Sequence, residues 1–150
     1  MDTFNLFLFL ALLALGFFAG SWAEKRHYRS IQKREKGFLD LPAVTIRKVD
    51  DPGNIEQAQL VSGSAVISVD YFKRFLAGLR ALVGGRIKTY ESLLDRARRE
   101  AVLRMKEQAR SADLIVNMRI ETSSISKGQR QKSVGTIEAF AYGTALRMKK

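Results

Sequence analysis

The residue types most able to do chemistry stand on two late stretches of the chain. Asn117, Arg119 and Glu121 recur at every second position, the spacing that puts side chains on one face of a β-strand. Glu138 falls on the next alternating stretch, so the two carboxylates can lie on neighbouring strands. Such a pair suits a hard divalent cation held through oxygen, or shared acid–base work. Arg119 beside them offers a third reading, a structural ion pair with one carboxylate, and charge patterning favours that one. A second group follows Gly84 and Gly85. Arg86 and Lys88 sit in a turn that could hold an anion, and Tyr90, Glu91 and Arg98 come next on helical sequence. An enzymatic role for Arg86, Tyr90 and Glu91 would need all three to line an open pocket.

Other chemistries are excluded by composition. The chain has no cysteine, so disulfides, thiolate zinc sites and a cysteine nucleophile have no material. Its one histidine, His27, lies far from the candidate groups and leaves no histidine triad or cluster. Thiolate ligands and clustered imidazoles are therefore absent, and the expected metal site is one built from oxygen. No P-loop, GxSxG, HExxH or dinucleotide-binding glycine pattern occurs.

The elements that must position these residues follow from periodicity. Leu41 to Val49 reads as a strand, and Asp50-Asp51-Pro52-Gly53-Asn54 as a turn. From Gln59 to Val69 the alternation is clean, with Val61, Gly63, Ala65, Ile67 and Val69 opposite Ser62, Ser64 and Ser68. Gly63 among small neighbours implies close approach by a helix or a second backbone. Asp70 can cap a helix from Tyr71 to Val83, whose apolar face is Phe72, Phe75, Leu76, Leu79 and Val83. Gly84 and Gly85 end it. A second helix, capped by Thr89, runs from Tyr90 to Ala112 with Tyr90, Leu94, Ala97, Ala101 and Met105 inward. Asp95 with Arg99 and Glu100 with Arg104 would form a solvated outer face. Asp113 to Ser126 is the third strand, with Leu114, Val116, Met118 and Ile120 on one side. A polar loop at 126–132 leads to a last strand from Val134 to Leu146. These elements predict an α+β domain, an antiparallel sheet covered on one face by two helices.

In front of the domain, Phe4 to Ala23 forms 20 residues without a charge, about 30 Å as a helix and enough to cross a hydrocarbon core. A cleaved signal peptide is the rival reading, with Ser21-x-Ala23 as the cleavage site. The charge runs the wrong way for it: only Asp2 precedes the apolar run, and six Lys/Arg against two Glu follow in 24–36. The positive-inside rule then puts the N-terminus outside and the domain in the cytoplasm. Gly16 and Gly20 form a GxxxG that would let two such helices pack closely. Residues 24–40 read as a basic juxtamembrane linker, helical as far as Gly37, and 41–150 as the domain. The net charge of +11 implies an anionic partner. With no stripe of aromatic and basic residues for nucleic acid, anionic lipid reached by residues 25–36 is the expected partner, although topology signalling alone would account for the same charges.

The run VSGSAVISVDYFKRFLAGLRALVGGRIKTYESLLDRARREAVLRM, then ADLIVNMRI, then Gly143-Thr144-Ala145, resembles the YbjQ-like family over about residues 58–146. The most specific part is Gly84, Gly85, Arg86, Tyr90, Glu91, Ala97 and Arg98. The resemblance implies a fold like the dodecin subunit, a pentameric ring and a heavy-metal-binding label. The chain departs from the common pattern in its N-terminal anchor and in Ser111, where a glycine often stands. The expected function is thus a membrane-anchored homo-oligomer without catalytic activity, a binding or scaffold protein of a bacterial inner membrane. Arg86, Tyr90, Glu91, Arg98, Asn117 and Arg119 are its assembly or ligand candidates. The alternative is a metal-ion or small-ligand binding protein using carboxylates such as Glu91, Glu121 and Glu138, with a divalent metal ion as its cofactor.

Overall fold

A computed structural model describes residues 3–49, 51–68, 88–125 and 136–149, with backbone alone at 88–90, 124 and 125. The expected helix from Tyr71 to Val83, the basic turn containing Arg86, and the loop 126–132 lie outside the described residues. The elements are helix α1 (Thr3–Lys36), strand β1 (Ile55–Ser68), helix α2 (Lys88–Gln108), strand β2 (Leu114–Ile125) and strand β3 (Thr136–Met148). A 3₁₀ turn at Pro52–Asn54 leads into β1.

The three strands form one antiparallel sheet in the order β1-β3-β2, so the last strand is central. Its helix side is built from small residues. Ala139, Ala141 and Ala145 of β3 and Val61, Ala65 and Ile67 of β1 are buried beneath Leu93, Ala97, Ala101 and Met105 of α2. Short side chains on both layers let the helix axis lie close to the sheet, and Gly63 shows how close. A Cβ there would stand 2.3 Å from the Ala101 carbonyl oxygen and 2.4 Å from the Met105 amide nitrogen. The close approach expected at Gly63 is the contact that seats α2.

Three local expectations are corrected. Leu41–Val49 does not form a strand. It makes an isolated parallel bridge, Ala43 with Ile115, and exchanges hydrogen bonds with the edge of β2: Val44 N donates to Ile115 O at 2.9 Å, and Ile115 N to Pro42 O at 2.9 Å. Helix α2 ends at Gln108, where Ala109 N and Ala112 N donate to carbonyls three residues back, so the helix stops before Ala112. Finally, β2 does not keep one alternation. Its pairing steps from Val116 opposite Thr144 to Arg119 opposite Tyr142, one residue too many on the β2 side. Asn117 takes a positive φ of 51° at this bulge. An odd insertion exchanges the faces. Ile115, expected to point away from the core, is therefore fully buried in it, and Ile120 packs against the same cluster.

Helix α1 is continuous over 34 residues. Its N-terminal part is long and apolar enough to cross a membrane, and none of that apolar window is buried. The helix passes straight through the basic run and, from Glu24 onward, lies along α2.

Candidate functional site

The face of the sheet turned away from α2 carries the strand residues singled out for chemistry. Tyr142 of β3 is flanked by Ser62 on β1 and Arg119 on β2, Phe140 by Ser64 and Glu121, and Glu138 by Val66 and Ser123. Phe140 and Tyr142 stack at 5.6 Å between ring centroids, tilted by 31°. Leu60 (73 % exposed), Val66 (57 %) and Phe140 (41 %) leave this face with bare apolar surface. Glu121 and Glu138 lie on neighbouring strands, as the sequence implied, and the register makes them diagonal neighbours across β2 and β3. Asn117 is not with them. The bulge moves it to the end of the sheet, where its N–H donates to Ile46 O at 2.7 Å and its side chain lines a separate groove with Arg47, Lys48, Thr144 and Leu146.

The structural ion pair expected of Arg119 is absent. Among the described residues Arg119 makes no ion pair with Glu121 or Glu138, and Glu138 accepts a hydrogen bond from Ser123 Oγ at 3.4 Å. The open face thus carries, among the described residues, one cation and two carboxylates beside an aromatic pair. Among the described residues no three His, Cys, Asp or Glu side chains converge to hold a metal. One exposed carboxylate, Glu121, and one half-buried one, Glu138, fall short of the oxygen cage a hard cation needs and offer nothing to a soft one. The described residues of one chain do not by themselves fit a heavy-metal centre.

The helical candidates separate in the same way. Glu91 and Arg98 are both exposed on α2, and Arg98 opens onto a groove of about 350 Å³ that it shares with Phe38, Leu39, Val102, Lys106 and Ile120. Lys106 Nζ donates to Phe38 O at 3.2 Å, and burial lowers its pKa from the ordinary lysine value despite the favourable charge of Glu35. The side chain of Tyr90, like Arg86, lies outside the described residues.

The strongest electrostatic constellation is one the sequence offered only as two helix-surface pairs, Asp95 with Arg99 and Glu100 with Arg104, both of which form. Glu100, read as part of a solvated face, is only 5 % exposed. Arg34 of α1 grips it with both terminal guanidinium nitrogens, Nη1 and Nη2, Arg104 Nε donates to it at 3.1 Å, and His27 Nε2 stands 3.7 Å away. Burial alone pushes the Glu100 carboxyl up. The hydrogen bonds and charges of Arg34 and Arg104 outweigh it and hold the group below the usual carboxylate range. Beside it, Arg99 takes Glu35 in a bidentate pair, Arg96 reaches Glu24 at 3.7 Å, and Tyr28 Oη donates to Ser92 O at 3.1 Å. Ile31 is fully buried between these contacts along α1. The signal was present in the spacing: Glu24, Tyr28, Ile31 and Glu35 recur at four, three and four residues, one side of a helix.

The YbjQ family, described as "Putative heavy-metal-binding", matches residues 41–149. The chain belongs to this family. Among the relatives, a UPF0145 protein of Clostridium novyi (strain NT) is 41 % identical over 96 residues, 63 % of this chain and 86 % of that protein. A UPF0145 protein of the archaeon Archaeoglobus fulgidus is 40 % identical over 92 residues, 60 % of this chain and 79 % of that protein. A crystal structure of a DUF74-family protein of unknown function from Pediococcus pentosaceus aligns with a TM-score of 0.44 at 12 % identity, over 71 % of this chain and 96 % of that one. The family match begins at residue 41, so α1 lies outside it.

Proposed function

We propose that this YbjQ-family chain is a membrane-anchored, self-associating binding or scaffold protein, held by residues 4–23 with its N-terminus outside and its domain on the cytoplasmic side of a bacterial inner membrane. The observation that carries the reading is the open face of the sheet. Exposed Leu60, Val66 and Phe140 lie beside Arg119, Glu121 and Glu138, which have no ion pairs with one another. Apolar surface flanked by uncompensated charges of both signs suits a second copy of the same surface, which can set Arg119 against a carboxylate of its neighbour. A closed ring, five copies as the family resemblance implies, is the finer form of this reading. Glu91 and Arg98, both exposed on α2, are the helix residues available to such contacts.

Native mass spectrometry of the full chain released from detergent tests it. A single multimeric mass, lost in Phe140→Asp, is the expected result, and a monomer at all concentrations would sink the reading. The same experiment addresses the alternative, a divalent cation bound through Glu121 and Glu138. One observation favours that alternative: the two carboxylates are diagonal neighbours on one face, so copies meeting there would pool their oxygens. Mass increments of whole metal ions, abolished by Glu138→Gln, would establish it.

A further inference from the structure

The run 24–36 sorts its charges. Its only two acidic residues both turn to α2, Glu24 to Arg96 and Glu35 to Arg99, and so do His27, Tyr28 and Arg34. Lys25, Arg26, Arg29, Lys33 and Lys36 are all exposed on the remaining surface of the helix. Docking on α2 therefore strips the outward side of every anion and leaves five cations there. The two helices also run parallel. Tyr28 meets Ser92 and Glu35 meets Arg99, each pair 64 residues apart in sequence, so both chains advance in the same direction. Between Ala23 and Lys36 nothing breaks the helix.

Resting on the membrane-anchor reading, we infer that the 24–36 segment is a rigid mount and not a tether. It turns the N-terminal end of α2 toward the bilayer and presses Lys25, Arg26 and Arg29 onto the phosphates of anionic phospholipids. At about 1.5 Å of rise per residue, these three side chains arise about 3–9 Å beyond Ala23, within the headgroup layer and about one Debye length. Lys33 and Lys36 arise about 15–20 Å out, where salt screens them. Arg26 packs its guanidinium over the Trp22 ring at 5.4 Å, joining the first cations to an aromatic side chain suited to the interface. Tyr28 stands about 8 Å from Ala23, and its bond to Ser92 puts the first turns of α2 at the same height.

The chain has no cysteine, so single labels are unambiguous. Glu91→Cys and Ser111→Cys, both exposed in the parent chain, place a fluorophore at opposite ends of the α2 region. The full chain goes into nanodiscs of phosphatidylcholine with about a third phosphatidylglycerol, carrying a quencher on the lipid headgroup. The label at 91 is expected to lose most of its emission and the label at 111 little. Equal quenching, or the reverse order, overturns the orientation. Lys25→Gln/Arg26→Gln/Arg29→Gln is expected to reduce the phosphatidylglycerol retained by the protein in native mass spectrometry several-fold, and Lys33→Gln/Lys36→Gln to leave it unchanged. Equal losses in both sets would overturn the headgroup contact. Extraction of the full chain by alkaline carbonate would instead remove the anchor reading itself, whatever the labels report.

Discussion

Gly63 lies directly beneath the backbone of Ala101: a methyl group on Gly63 would stand 2.3 Å from that carbonyl oxygen. The obstacle is helix backbone, not the end of a side chain that can swing away, so an added Cβ must lift α2 off β1. Gly63→Ala is expected to cost about 3 kcal/mol, at the upper end for overpacking, with Ser64→Ala on the opposite face within about 0.5 kcal/mol of the parent. Chemical denaturation in detergent distinguishes them. Equal midpoints would mean that α2 does not sit where the structure has it.

The Arg34–Glu100 pair makes the basic run part of the fold. Removing Arg34 leaves the buried Glu100 carboxylate with Arg104 as its remaining arginine partner, so Arg34→Ala should cost about 2–3 kcal/mol, somewhat below the range for a fully buried pair that loses its one partner. The exchange Arg34→Glu/Glu100→Arg should recover part of what Arg34→Glu loses. By the same argument a chain starting at residue 37 should melt at least about 5 °C below one starting at 24, since it loses Arg34, Glu35 and buried Ile31 together. Identical melting of the two truncated chains would show that 24–36 is only a linker.

How much of this was legible in the sequence depends on whether a residue answers to local or distant constraints. The faces of β1 and β3 follow from strict alternation, and Gly63 among small neighbours signalled a close approach by a helix or a second backbone, of which the structure has the helix. The reversal in β2 was hidden. Leu114, Val116, Met118 and Ile120 keep an apparent alternation straight through the bulge, and only pairing against β3 reveals the extra residue at Asn117–Met118. The segment 41–49 has strand-like sequence but meets the irregular edge of β2 through a single bridge and a few hydrogen bonds, without joining the ladder. The docking of 24–36 was the least legible. A run of lysines and arginines after an apolar segment fits headgroups as well as it fits a neighbouring helix, and the choice rests on partners more than 60 residues away. For the strand carboxylates, the sequence put Glu121 and Glu138 on neighbouring strands but wrongly gave Arg119 to them as a partner, and their diagonal comes from the register of β2 against β3.

Asn117 itself supplies a third test. Its φ of 51° is the left-handed conformation that asparagine tolerates and a β-branched side chain does not. Asn117→Gly is expected to stay within about 0.5 kcal/mol of the parent, and Asn117→Val to lose about 1–2 kcal/mol. Thermal unfolding of the two variants checks the order. If valine proved as stable as glycine, the bulge, and with it the exchange of faces in β2, would be wrong.

The clasp between the helices also sets a pH dependence. Burial, then the nearby charge of Arg96, lowers the pKa of His27 from its ordinary 6.5, with Arg34 and Arg104 acting the same way and Glu100 opposing them. A histidine whose folded pKa is depressed binds fewer protons folded than unfolded. Its contribution is complete above 6.5 and is lost as pH falls from there toward the folded value. Glu100 is likewise depressed, so its contribution is complete above its ordinary 4.5 and is lost below it, as pH passes through the folded value. Both groups act in the same direction, and acid should loosen α1 from α2 in two stages. His27→Gln is expected to flatten the stability profile between about pH 7 and 5 while leaving the fall below about pH 4.5 in place. Glu100→Gln, after its own loss at neutral pH, should show a shallower fall in the lower range. Denaturation midpoints across this pH series decide the matter, and a His27→Gln profile parallel to the parent's would exclude His27 from the clasp.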